Sequence, residues 1–281
     1  MHVQGTTIYN ILALENGPIG STASNLNGGM FYYRQSPSSL KMFLLSIVNA
    51  NFGANWNTDP DQAPFNFYQS TIVVPPIPDT QWATIFVWPG LQPGGGAHFL
   101  PIDNGVLQPV LTYGTSCAPN PNNKTIDYQR QWWISGQYVN TFGHEPGFSG
   151  CLGGNRMVVS VGDQVQMTMA LGDDGFWTQT IVNLSNKQSV SFSINLQQQA
   201  QGWAEFVFEN TNGWHSNPPA FTVKDIELRT ATSNPNNFCS YSQTGDSFKD
   251  GATLECSTPQ FPSVNVCKIS ECLFNQNAKA K

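Results

Sequence analysis

Residues 203–209 read Trp203-Ala204-Glu205-Phe206-Val207-Phe208-Glu209. Successive side chains of a β-strand point to opposite faces, so residues two apart share a face. Ala204, Phe206 and Phe208 therefore form one side, an apolar one made for a core. Trp203, Glu205, Val207 and Glu209 form the other. An apolar side backed by a side with two carboxylates is the pattern of a strand that covers a core with one face only. Four residues apart, the two Glu of a regular strand sit about 13 Å from each other.

The same alternation extends outward along the chain. In Gln164–Leu171 the core side is Val165, Met167, Met169 and Leu171, and the other side is Gln164, Gln166, Thr168 and Ala170. Gln108, Val110 and Thr112 share a face, as do Gln131, Trp133, Ser135, Gln137 and Val139. Read together, these strands present Gln, Thr, Trp and Glu on the outward face of one sheet. A solvated polar surface has that composition. So does a concave groove that holds a polar chain, because amides read polar edges and indole rings supply apolar area.

Runs rich in Val, Ile, Phe, Thr and Trp, separated by Gly, Pro and Asn clusters, mark ten strands. They are Phe67–Val74, Trp82–Trp88, Gly105–Tyr113, Gln131–Asn140, Met157–Val161, Gln164–Leu171, Trp177–Leu184, Ser189–Asn195, Trp203–Glu209 and Phe221–Arg229. Val161-Gly162-Asp163-Gln164 reads as a tight turn inside a hairpin. Many short strands at this spacing predict an all-β, two-sheet antiparallel β-sandwich. Pro37–Asn49 fits a helix capped by Ser36, with Leu40, Phe43, Leu44 and Ile47 at helical spacing, although Met42–Val48 also suits a buried strand. The expected organisation is an N-terminal segment 1–64 packed on the sandwich, the sandwich at 65–229, and a Cys-rich tail at 230–281.

Only 11% of the 281 residues are charged, against about 25% in ordinary soluble domains. The net charge is −6, with 12 Lys and Arg, so a basic face for nucleic acid is not expected, nor is an anionic membrane a partner. The longest apolar run, Met42–Val48, is far short of the roughly 20 residues that span a bilayer. Met1–Gly5 shows neither a basic n-region nor an apolar h-region. The six cysteines, Cys117, Cys151, Cys239, Cys256, Cys267 and Cys272, are an even count without zinc-ligand spacing, and point to disulfides and an extracellular protein. The four in the tail allow three connectivities and are expected to staple it over the sandwich, which leaves Cys117 and Cys151 as a pair. Two sequons, at Asn123 and Asn183, agree with a secretory route.

Other chemistry-bearing residues form no constellation. His98, His144 and His215 stand apart in Gly, Pro and Asn loops, so no metal site is expected. Phe148-Ser149-Gly150-Cys151 is not a G-x-S-x-G nucleophile elbow. Gly94-Gly95-Gly96 lacks the Lys-Ser/Thr ending of a phosphate cradle, and no cofactor is expected.

The order of several short motifs carries a resemblance. Val87-Trp88-Pro89-Gly90-Leu91, then Gly105–Gly114 (GVLQPVLTYG), Trp132-Trp133, Val161–Met167 (VGDQVQM), Ile181–Ser189 (IVNLSNKQS) and Ala204–Glu209 (AEFVFE) follow one another as they do in the fungal glutamic peptidases, the eqolisins, which this stretch resembles. The resemblance spans roughly Phe65 to Arg229. It implies a concanavalin A-like, lectin-like jelly roll and a secreted, acid-active endopeptidase. It implies a catalytic Gln and Glu on a concave sheet, the Glu activating water and the Gln amide holding the oxyanion. Carried over, the Glu is Glu209, and the Gln position is occupied by Thr112. Gln108, on the same face, replaces the amide only if a bulge shifts the register. Trp88, Trp133, Gln137, Trp203 and Glu205 line the implied groove.

The expected function is a glutamic-peptidase-like hydrolase acting on a polypeptide as a monomer. The same groove serves two alternatives, a carbohydrate-binding protein and a polysaccharide-cleaving enzyme with Glu205 and Glu209 as its carboxylates.

Overall fold

The computed structural model describes residues 48–58, 62–78, 84–93, 105–116, 131–140, 150–211, 220–233, 238–244 and 252–276. Alternation is what builds them. The strands in chain order are β1 (Val48–Asn57), β2 (Phe65–Val73), β3 (Ile85–Gln92), β4 (Val106–Tyr113), β5 (Trp132–Asn140), β6 (Gly150–Gly153), β7 (Met157–Val159) and β8 (Gln164–Leu171). They continue as β9 (Phe176–Asn183), β10 (Ser189–Asn195), β11 (Trp203–Thr211), β12 (Phe221–Thr230), β13 (Ser242–Thr244), β14 (Ala252–Cys256), β15 (Gln260–Ser263) and β16 (Val266–Gln276). All ten expected strands are present, and no helix occurs among the described residues. The Pro37–Asn49 helix lies outside the described residues, apart from Val48 and Asn49, which open β1.

The strands form two eight-stranded sheets, and every pairing is antiparallel. The first runs β13-β1-β11-β3-β4-β5-β6, with β7 also on β5, and the second runs β10-β9-β8-β2-β12-β16-β14, with β15 on β16. The inner faces meet in one core. Trp56, Val87, Leu111, Ile134 and Phe206 come from the first sheet, and Tyr68, Met167, Ile181 and Leu228 from the second. The molecule is the expected all-β two-sheet sandwich.

Three expectations change. The turn at Ser160–Asp163 is real, closed by the Asp163 N–H on the Ser160 carbonyl at 3.0 Å with Gly162 at φ 85°. It joins β7 of the first sheet to β8 of the second, so it is no hairpin. The Gln164, Gln166 and Thr168 face accordingly belongs to the second sheet, not to the sheet that bears Glu205 and Glu209. The tail is not laid over the sandwich. It contributes β13 to the first sheet and β14 to β16 to the second, bridged by Cys239–Cys267 and Cys256–Cys272. Cys151 is also disulfide-bonded, and its expected partner Cys117 lies outside the described residues. Sequon residue Asn183 is buried, with its amide nitrogen donating to Asp163 at 2.6 Å.

One polar bridge crosses the apolar interior. Gln179 of β9 is fully buried, accepts the Gln137 N–H at 3.0 Å and donates to the Gln137 carbonyl at 2.6 Å. Gly136 makes the approach possible, since a Cβ there would lie 2.9 Å from Phe192 and 3.1 Å from the Gln179 amide oxygen. Removing the amide strands two buried backbone groups, at about 1–3 kcal/mol each. Gln179→Ala is therefore expected to lower the melting temperature by roughly 5 °C or more in circular dichroism. An unchanged melt would show that the bridge contributes nothing.

Candidate functional site

The site grows from β11 and its neighbours. The register of β11 is continuous from Trp203 to Asn210 against both β1 and β3. Residues directly opposite on antiparallel strands share a face. Glu205 thus has Asn55 on one side and Gly90 on the other, and Ser242 of β13 lies beyond Asn55. The unshifted register of β3 and β4, with Val87 opposite Leu111 and Leu91 opposite Leu107, sets Gly90 level with Gln108. Gln108 in turn faces Gln137. One row across the sheet reads Ser242, Asn55, Glu205, Gly90, Gln108, Gln137. A second row, four residues along β11, reads Glu209, Phe86, Thr112, Trp133.

This face turns away from the sandwich core, yet its side chains are buried. Glu205 is 4% exposed and Glu209 6%, and Asn55, Gln92, Gln108, Thr112, Trp133 and Gln137 are buried as well. Phe86, Trp88, Val106, Val110 and Val207 form an apolar cluster of their own on this face. In those surroundings an ionised carboxylate loses its hydration, which disfavours the charged form. Burial pushes the Glu205 carboxyl up to about 8, with the Glu209 charge adding to the rise and the Trp203 N–H opposing it. Burial likewise pushes Glu209 up to about 7 against the Trp88 N–H. Both groups carry hydrogen bonds. The Trp88 indole donates to Glu209 at 3.1 Å, and the Gln92 amide donates to Glu205 at 2.6 Å.

The sequence-predicted residues divide by what they touch. Trp88 lies on Gly90, where an added Cβ would meet its ring at 2.7 Å, so the indole spreads between Glu205 and Gln108. Gln108 stays on the Glu205 row because β4 keeps one register with β5 over its whole length. The bulge that would bring it level with Glu209 is absent. Its amide makes no hydrogen bond to another described residue, and neither does the buried Thr112 hydroxyl. Trp133 spends its N–H on the Gly114 carbonyl at 2.9 Å and stacks under Arg156, 4.8 Å from its ring centre. Gln137 spends its amide on Ser135 and Ser116. Trp203 is half-buried at the end of the face.

Gln92 and Asn55 were missed. The signal for Gln92 was the period of two from Trp88 through Gly90, and for Asn55 the alternation of Asn49, Asn51, Asn55 and Asn57 with Ala50, Phe52, Ala54 and Trp56.

The two carboxyls tie stability to pH. Their folded values exceed the ordinary 4.5, so the folded chain holds these protons more tightly. That stabilisation is full below about 4.5 and is lost as pH rises through about 7 and 8. Each tenfold gain in proton affinity on folding is worth roughly 1.4 kcal/mol. The double variant Glu205→Gln, Glu209→Gln is therefore expected to melt near the wild type at pH 4 and at least about 5 °C above it at pH 8. A constant difference between the two pH values would mean that the carboxyls are solvated.

No family model and no curated protein matches this chain. Among solved structures it is similar to scytalido-glutamic peptidase with a transition state analog inhibitor, at 18% identity and a TM-score of 0.46, over 80% of this chain and 99% of that one. It is also similar to SCP-B, a member of the eqolisin family of peptidases in complex with the tripeptide Ala-Ile-His, at 17% identity and a TM-score of 0.44, again over 80% and 99%. At these values the likeness is one of fold.

Proposed function

We propose that the buried face of the first sheet hydrolyses a peptide bond, with Glu209 as base and Glu205 as acid. The observation that carries this reading is one buried face that holds both carboxyls, with the unspent Thr112 hydroxyl on the Glu209 row. Burial raises both carboxyls, and Glu205, which also feels the Glu209 charge, is the natural acid beside Glu209 as base. Water attacks the carbonyl carbon and gives a proton to Glu209. The carbonyl oxygen becomes an oxyanion, held by the Thr112 hydroxyl, which lies on the Glu209 row. Glu205 then gives its proton to the departing amine nitrogen as the C–N bond breaks.

Neutral donors favour an acyl substrate over a glycan. An oxyanion gains from N–H and O–H groups, whereas glycosyl transfer passes through a cation-like sugar that gains from negative charge. The motif order described above supports the same choice. The disulfides suit a protein that works in an oxidising, extracellular setting. With both carboxyls raised by burial, activity is expected at higher pH than the acid range that the motif resemblance implies.

Cleavage of unfolded casein is expected to follow a bell-shaped kcat/KM with limbs near 7 and 8. Glu209→Gln is expected to remove about two orders of magnitude or more, and Thr112→Val about two. Cleavage that keeps rising below pH 5, or that survives Glu209→Gln, contradicts the assignment. New reducing ends from a polysaccharide with casein intact would transfer the site to glycan chemistry.

A further inference from the structure

The second sheet carries a separate cleft on its outer face, of about 430 Å³, within the range of small-ligand sites. Its origin is visible in the strand pattern. Along β12 the core residues are Val223 and Ile226, three apart, and along β16 they are Ile269 and Cys272, also three apart. These pairs face one another, Val223 to Cys272 and Ile226 to Ile269. Each strand therefore turns two consecutive residues outward, Lys224 and Asp225 on one and Ser270 and Glu271 on the other. Against β2 the extra residue is a bulge, since Lys224 pairs Thr71 while Glu227 pairs Gln69. Asp225 sits in it at φ 52°, a left-handed conformation that a residue with a Cβ adopts at a cost. Bulges re-aim side chains, and this one brings out a carboxylate that simple alternation would bury.

The lining mixes apolar and polar surface, with Ile226 and Ile269 among it, and much of the polar part is unspent. Gln69, Gln166, Gln260 and Ser270 line the cleft, and their side chains make no hydrogen bond to another described residue. Lys268 is taken up by Glu227, at 3.0 Å, and Arg229 binds the same carboxylate. That leaves Asp225 as the one uncompensated charge among the described lining residues, so an anion is disfavoured. No group of three His, Cys, Asp or Glu side chains gathers among the described residues, which disfavours a metal ion. The strands beneath are paired on both sides, so no backbone edge is offered to a peptide. Amides and hydroxyls that both donate and accept, with one carboxylate able to take two adjacent hydroxyls, match a neutral polyol.

We infer that this cleft is a binding site for a neutral oligosaccharide, on the sheet opposite the carboxylate face and independent of its chemistry. Calorimetric titration of the full chain with cellotetraose, mannotetraose and N-acetylchitotetraose tests it. At least one of the three is expected to bind one site per chain in the micromolar to millimolar range. Asp225→Asn, which tolerates the left-handed backbone, and Gln69→Ala are each expected to weaken it about tenfold. The Glu205→Gln, Glu209→Gln variant is expected to bind unchanged, even if the hydrolytic reading fails. Thermal melts of both cleft variants confirm folding. Absence of binding by all three sugars at about 10 mM, binding unaffected by both cleft substitutions, or binding lost only in the carboxylate variant would each overturn the inference.

Discussion

Two carboxyl groups lie buried on one face of one strand, and the organisation of that sheet follows from the need to accommodate them. An ionised carboxylate stripped of water is costly, and a protonated one still needs partners. Trp88 and Gln92 on β3 supply them, one for Glu209 and one for Glu205. The same strand has no side chain at Gly90, and the Trp88 ring occupies that gap. A single neighbouring strand thus partners both acids and leaves the Gln108 amide and the Thr112 hydroxyl on the strand beyond it unspent.

That arrangement requires a rigid frame. β11 lies inside its sheet, between β1 and β3, without a register shift across the two Glu. On its inner side Phe206 and Phe208 belong to a core shared with the second sheet, where Phe221 and Phe274 stack on one another at 4.8 Å. The two faces of β11 do opposite work. One is apolar and fixes the strand. The other holds ionisable groups in apolar surroundings, which raises both pKa values and separates them. The second sheet shows the complementary case. Its outer residues include an ion pair between Lys268 and Glu227 that stays half in water; partial burial pushes the Glu227 carboxyl up, but Lys268 and Arg229 together outweigh it and hold it below the ordinary carboxylate range.

Much of this is legible in the sequence where the period of two is clean. Ala204, Phe206 and Phe208 against Glu205, Val207 and Glu209 mark both the strand and its faces, and Gln164–Leu171 marks its strand to the residue. Which strands share a sheet is not legible, because alternation is local whereas pairing is not. Alternation alone therefore credits the amide-rich side of Gln164–Leu171 to the wrong sheet. β1 escapes because its inner residue Ala54 is small and leaves a weak apolar signal beside the stronger Met42–Val48 run. The tail strand β16 escapes because Ile269 and Cys272 break the period at the point where the cleft forms. Burial of the carboxylate face is not legible either, since a strand of mixed polarity looks the same whether its polar side meets water or is covered.

The most direct measurement is a carbon-13 NMR titration of the glutamate side-chain carboxyls in the intact chain, with Glu205 and Glu209 assigned by single substitution. The account predicts two resonances that stay protonated through the acid range and titrate in sequence near 7 and 8, Glu209 first. Resonances for both residues that titrate together in the ordinary carboxylate range, near 4.5, would contradict it.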